Sequence, residues 1–262
     1  MPTPALSDLA AWTLHLCEAP LPVLTATAAD IERLAQAEER HGRVDANMLA
    51  DVIGDDPLMT IKLLAHTARL RPPAQVTDAE TVTATLVHLG IGPFFRDFAA
   101  LVAVEQGLQA LPGALDALQQ VLRCSHRASR FALGFAVHRM DTDADIVREA
   151  ALVHDFAELL LWYHAPQAML TEAARPDASR LGQALMRAWR LPTLLIELTD
   201  EHACRNPLVE PQRQVVQLAV RLARHTTNGW DTTDLQPDLE AVAELLHLSV
   251  SAAQRLVLDL DS

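Results

Sequence analysis

Apolar residues return at every third or fourth position along nearly the whole of this chain, and sustained two-residue alternation is scarce. A 3.6-residue helical period produces the first pattern and a half-buried strand requires the second, so the sequence predicts helices joined by short connections. Half the residues are apolar, yet only 4% are aromatic and only 9 are glycine. The apolar content is therefore mainly Ala, Leu and Val, the usual filling of packed helices. The expected fold is all-α, a multi-helix bundle, and 262 residues suffice to bury its core without disulfides or metal.

Start and stop signals place the helices. Asp45 caps a short helix from Ala46 to Ile53 that Gly54 closes. Asp56-Pro57 opens another through Leu58, Ile61, Leu64 and Ala65, ended by Pro72-Pro73. The β-branched stretch from Thr81 to Leu89 has no second strand to pair with and is read as helix. A helix from Phe94 to about Gln109 follows Gly90, Gly92 and Pro93. Pro112-Gly113 then marks the main internal boundary, before a long amphipathic helix from about Ala114 to Met140. Asp143 opens a helix read as continuous through Leu160 to Pro166, and further helices follow Pro176, Pro192 and Pro211. The tail holds Leu239 to Leu246 and Val250 to Leu258, the second capped by Ser249. This suggests three parts: an N-terminal helical part, 1–110, a second helical part, 111–230, and a C-terminal helix pair, 231–262.

The formal charge of -13 repels a phosphate backbone, and no Lys/Arg run is interleaved with aromatics, so nucleic acid is not an expected partner. Cys17, Cys124 and Cys204 are odd in number and widely spaced, which fits neither a CxxC metal motif nor a secreted disulfide framework. The N-terminus lacks the basic start and unbroken apolar core of a signal peptide, and no apolar run approaches the roughly 20 residues that span a bilayer. A cytoplasmic location with no membrane partner is the expectation.

His154-Asp155, read as adjacent on a helix, and His126, twenty-eight positions upstream, bear the most chemistry. Two imidazoles and a carboxylate suit a divalent metal that acidifies water and clamps a phosphate oxygen. The plainer use is structural: His154 or Asp155 bonds to His126, or to Arg130 one turn beyond it, and ties two helices together. His202, after Glu201 near the end of the helix that begins at Pro192, is read as a cap on the helix dipole. Arg123, Arg127 and Arg130 are read as one solvated helix face bridged to Glu or Asp. Cys124 beside Ser125-His126 is no nucleophile, because consecutive helical residues point about 100° apart; it is read as buried. His66 and His88 are read as partly exposed residues without a catalytic role.

The chain resembles the HDOD family, a branch of the HD phosphohydrolase superfamily, from about Leu21 to Gly229. Asp51 to Ala68, reading DVIGDDPLMTIKLLAHTA, is similar to the family's I-x-x-D-P-x-L segment, and His88-Leu89-Gly90 ends a stretch like its A-I-x-x-L-G element. Ser125-His126 and Leu152 to Leu161, reading LVHDFAELLL, resemble its L-L-H-D-I-G-K-L helix. Trp189 to Pro192, Glu201-His202 and Val215 to Ala223 follow in the family's order.

Departures weigh on activity. The resemblance implies an Asp where Leu218-Ala219-Val220 has Val220, and a phosphate-holding Lys where Phe156-Ala157-Glu158 brings Glu158, which would repel phosphate. The double histidine of metal-richer relatives is Glu201-His202 here. The expectation is a non-catalytic regulatory protein, without cofactor or metal, whose site residues His126, Arg130, His154, Asp155, Glu158 and His202 survive as a structural remnant. The resemblance implies a protein partner in a bacterial signalling pathway. Two alternatives stand: a metal-dependent phosphohydrolase using His126, His154 and Asp155, or a nucleotide or small-anion sensor without turnover.

Overall fold

The structure, a computed structural model, describes residues 8–70, 80–171, 176–202, 206–227, 229–230 and 235–261. In chain order the helices begin with α1 (Leu9–Glu18), α2 (Thr25–His41), α3 (Ala46–Ile53), α4 (Pro57–Leu70), α5 (Val82–Leu89) and α6 (Ile91–Asp97). There follow α7 (Val104–Leu108), α8 (Pro112–His138), α9 (Ala144–Val153), α10 (Phe156–His164) and α11 (Pro166–Leu170). The last are α12 (Ala178–Ala188), α13 (Thr193–Thr199), α14 (Glu210–His225), α15 (Leu235–Leu246) and α16 (Val250–Asp261). No β-strand occurs among the described residues, where the only extended pairing is an isolated parallel bridge between Val23 and Ala103. The all-α expectation holds.

The helix starts follow side-chain chemistry. Asp45 and Thr81 accept the Met48 and Ala84 amides at 2.9 and 3.2 Å, so α3 and α5 begin where an oxygen can satisfy a first-turn N–H. Asp56 does more: Oδ1 accepts from Leu58 and Met59 at 2.8 and 3.0 Å, and Oδ2 accepts from Leu24 at 2.8 Å. One buried carboxylate thus caps α4 and fixes the entry to α2. Pro72-Pro73 and Cys204 lie outside the described residues.

Two helices expected to be continuous are broken. The Phe94 to Gln109 helix is α6 and α7 with an extended crossing between them, where Val23 N–H donates to Val102 O at 2.9 Å and Val104 N–H to Val23 O at 2.8 Å. Helix formers Ala99, Ala100 and Leu101 did not reveal this, because the competing bonds come from residues about 80 positions away. The helix expected from Asp143 to Pro166 breaks at His154-Asp155, and Asp155 O accepts the Glu158 and Leu159 amides at 3.0 and 3.3 Å as α10 begins afresh. The tail helix reaches back to Leu235 rather than starting at Leu239, and α16 runs to Asp261.

The described residues fall into two compact units, one drawn from 1–119 and 155–193, the other from 120–154 and 194–262. This differs from the division into 1–110, 111–230 and 231–262: the cuts fall inside α8 and at the break after His154. The physical reason is what each helix packs on. In the first unit α10, with six buried residues, packs on α4, α7 and α12, while α12 also packs on α1. The core there joins Val23, Ile31, Leu49, Met59, Leu86 and Phe94. In the second unit α9 and α15 both pack on α14, and α16 on α15. No single helix among the described residues is long and apolar enough to cross a membrane.

Candidate functional site

His154 ends α9 in the second unit, and its side chain is only 3% exposed. Its Nε2 lies 3.3 Å from Oε1 of Glu201, and the same Oε1 lies 3.5 Å from Nη1 of Arg224. The carboxylate reaches this position because a buried arginine builds the turn that bears it. Arg213, on the first turn of α14, donates from Nη1 to Asp200 O at 2.9 Å and from Nε to Glu210 at 2.9 Å. Asp200 in turn accepts the His202 amide on Oδ1 at 2.9 Å, closing the turn after α13. Four helical positions before Arg224, Val220 is buried. An apolar side chain therefore stands where the sequence resemblance implies a carboxylate, and a guanidinium follows one turn later.

The other expected site residues are distributed differently. His126 is half-buried on α8, in the same unit as His154. Arg130 is exposed and lies 3.4 Å from Asp261, so it faces the C-terminal helix. Arg127, largely buried rather than on a solvated face, donates from Nε to Asp261 at 2.7 Å. His202 is exposed on the turn, beyond the end of α13 at Thr199, and so does not sit in a helix. Asp155 and Glu158 belong to the first unit, each half-buried, Asp155 at the break and Glu158 in the first turn of α10. Cys124 is partly buried, with Sγ 2.9 Å from Thr227 Oγ1.

Sequence reasoning selected His202 of the pair and passed over Glu201 and Arg224. The available signal was the pairing itself: when a pattern loses a carboxylate at Val220 and gains an arginine one turn on, charge balance favours an acid facing it. These residues do not fit a divalent metal. Such a centre needs three or more convergent donors, and among the described residues no three His, Cys, Asp and Glu side chains gather closely enough to supply them. Glu201, 3.3 Å from His154, also faces the fixed cation of Arg224.

Solved structures show what this helical arrangement is similar to. The MmoQ response regulator from Methylococcus capsulatus str. Bath aligns with a TM-score of 0.67 at 20% identity, covering 90% of this chain and 97% of that one. A 20–298 fragment of the same protein gives 0.63 at 21% identity, covering 87% and 92%. A virulence factor, cj0248, from Campylobacter jejuni subsp. jejuni gives 0.63 at 17% identity, covering 98% and 95%. Identities of this size show a shared fold. No curated protein matches the chain. The HDOD domain pattern matches residues 21–204, well over half of the sequence. Together with the helical architecture and the ordered motifs around Asp56, His154 and Trp189, this makes the chain a member of the HDOD domain family.

Proposed function

We propose that this HDOD protein is regulatory and non-catalytic, and that it acts on a protein partner in a bacterial signalling pathway from the cytoplasm. The observation that carries the reading is the contact of Glu201 with both His154 and Arg224. In an HD-type phosphohydrolase the histidine lone pair and carboxylates face a metal, which supplies the positive charge that acidifies water. Here a guanidinium supplies positive charge to the carboxylate directly, and arginine neither acidifies water nor exchanges ligands. Val220 removes a further carboxylate, and Glu158 replaces the cation that would hold phosphate. A solved neighbour of the same fold is named a response regulator, which supports a place in signal transduction.

Metal analysis of the purified chain after growth with Mn, Fe, Zn and Ni tests this, combined with a phosphodiesterase assay on bis(p-nitrophenyl) phosphate. The expected result is less than about 0.1 metal ion per chain and no turnover above buffer, unchanged in His154→Ala. One metal per chain, lost together with turnover in His154→Ala, overturns the proposal.

A further inference from the structure

The second unit contains a cleft of about 550 Å³ that shares no residue with the His154, Glu201 and Arg224 cluster. One wall is a stripe of α14, with Gln214, Gln217, Leu218 and Arg221 at i, i+3, i+4 and i+7. The facing wall is Ala241, Glu244 and Leu245 of α15, with His247 just past its end and Arg139 just past the end of α8.

The polar groups here are held as a ligand site requires. Arg221 donates from Nε to Asp238 at 2.7 Å, and Asp238 is 2% exposed. Arg139 donates from Nε to Asp141 at 3.2 Å. Each guanidinium is thus anchored through Nε, while its two terminal amino groups make no bond to the described residues. Four terminal amino groups on two anchored cations suit the oxygens of a phosphate. Gln217, half-buried on the α14 wall, has no hydrogen-bond partner among the described residues. Gln214 donates its amide to Glu210 at 3.1 Å, leaving its carbonyl as an acceptor. Leu218, Ala241 and Leu245 provide apolar surface for a flat ring. Arg139 and Arg221 line the cleft with Glu244, and each guanidinium is paired on its Nε side with an aspartate, Asp141 and Asp238, so the cations reach the cleft through their terminal amino groups. The volume lies within the roughly 300–1,000 Å³ of small-molecule sites.

We propose that this cleft binds a nucleoside monophosphate without turning it over. The terminal amino groups of Arg139 and Arg221 take the phosphate, the Gln217 amide pairs with the base edge, and Leu218 and Leu245 cover the base face. The proposal goes beyond the regulatory reading by giving the protein a small-molecule input.

Isothermal titration calorimetry of the full chain with 5′-AMP, 5′-GMP, the matching nucleosides and inorganic phosphate tests it. The expected result is saturable binding of a mononucleotide with Kd below about 1 mM. Gln217→Ala and Arg139→Gln are each expected to weaken it about tenfold or more. Ala241→Trp, which fills the cleft, is expected to abolish it, with circular dichroism confirming that each variant is folded. No mononucleotide binding, equal binding of phosphate alone, or unchanged affinity in folded Gln217→Ala and Arg139→Gln overturns the assignment. Hydrolysis of the bound nucleotide would overturn both the non-catalytic reading and the absence of turnover proposed here, whereas loss of binding would overturn the cleft assignment and leave the non-catalytic reading standing.

Discussion

Asp56 satisfies three backbone amides with one buried carboxylate. Burial pushes its carboxyl upward from the ordinary carboxylate range, against hydrogen bonds from Leu24, Met59, Thr27 and Leu58 that favour the charged form. Removing it leaves three backbone amides without their acceptor, so Asp56→Ala is expected to cost about 2–4 kcal/mol in urea unfolding. Asp56→Asn should cost less, since one oxygen can still cap α4 while the new amide opposes Leu24 N–H. Equal loss in the two variants would show that packing rather than capping is at stake. His164 is a second such residue. Burial first, then the charge of His15, hold its pKa down at about 4 in spite of a hydrogen bond to Pro20 O. Between about pH 6.5 and 4 the unfolded chain binds this proton and the folded chain does not. Stability is therefore expected to fall as pH drops through that window, by up to about 3 kcal/mol, and to level off below it. His164→Phe should flatten the change in urea midpoint between pH 7 and 5; an undiminished slope would assign the effect to other groups.

Among the helices, α16 packs on α15 through its middle and is tied to α8 through its last turn. Asp261 receives bonds from Arg127 and from Trp230 Nε1, the latter at 3.1 Å, and the Arg127 guanidinium lies 5.8 Å from the Trp230 ring centre. Burial raises the Asp261 pKa, but the bonds from Arg127 and Trp230 and the charges of Arg127 and Arg130 together outweigh it, so the carboxyl sits below its ordinary range. Gly134 on α8 lets Leu260 approach: a Cβ there would lie 2.4 Å from Leu260 Cδ1. Gly134→Val is expected to displace the end of α16, seen as faster hydrogen exchange over 250–261 and a shift in Trp230 emission. Asp261→Ala should produce the same exchange pattern at a cost of about 1–3 kcal/mol. Exchange in 250–261 that matches the wild type in both variants would place the anchoring of α16 elsewhere.

At the scale of the molecule, charge sets what the protein approaches. With 34 acidic against 21 basic residues, the whole surface is expected to repel phosphate backbones, and no change in fluorescence anisotropy of a labelled DNA duplex is expected at about 0.1 M salt. A salt-sensitive rise in anisotropy would show a basic face that the overall balance conceals. Mononucleotide binding is compatible with this, because the cleft presents its two guanidiniums over a small area, whereas a nucleic acid samples the field of a whole face.

The helical class, the caps at Asp45 and Asp56, and the family were legible in the sequence, because each depends on local periodicity, side chains within four positions of the amides they satisfy, or motifs in order. His154 stood out in the sequence through its setting in LVHDFAELLL, and the structure places it 3.3 Å from Glu201. The break at Asp155, the extended crossing at Ala103 and the assignment of 155–193 to the first unit were not, since each is decided by the partner a helix packs or bonds with far along the chain. The same holds for Glu201 in preference to His202, and for the cleft between α14 and α15. Local patterns determine which segments become helices. Only the tertiary structure decides which charges face one another, because that choice balances burial, desolvation and reach among residues with no fixed spacing in sequence.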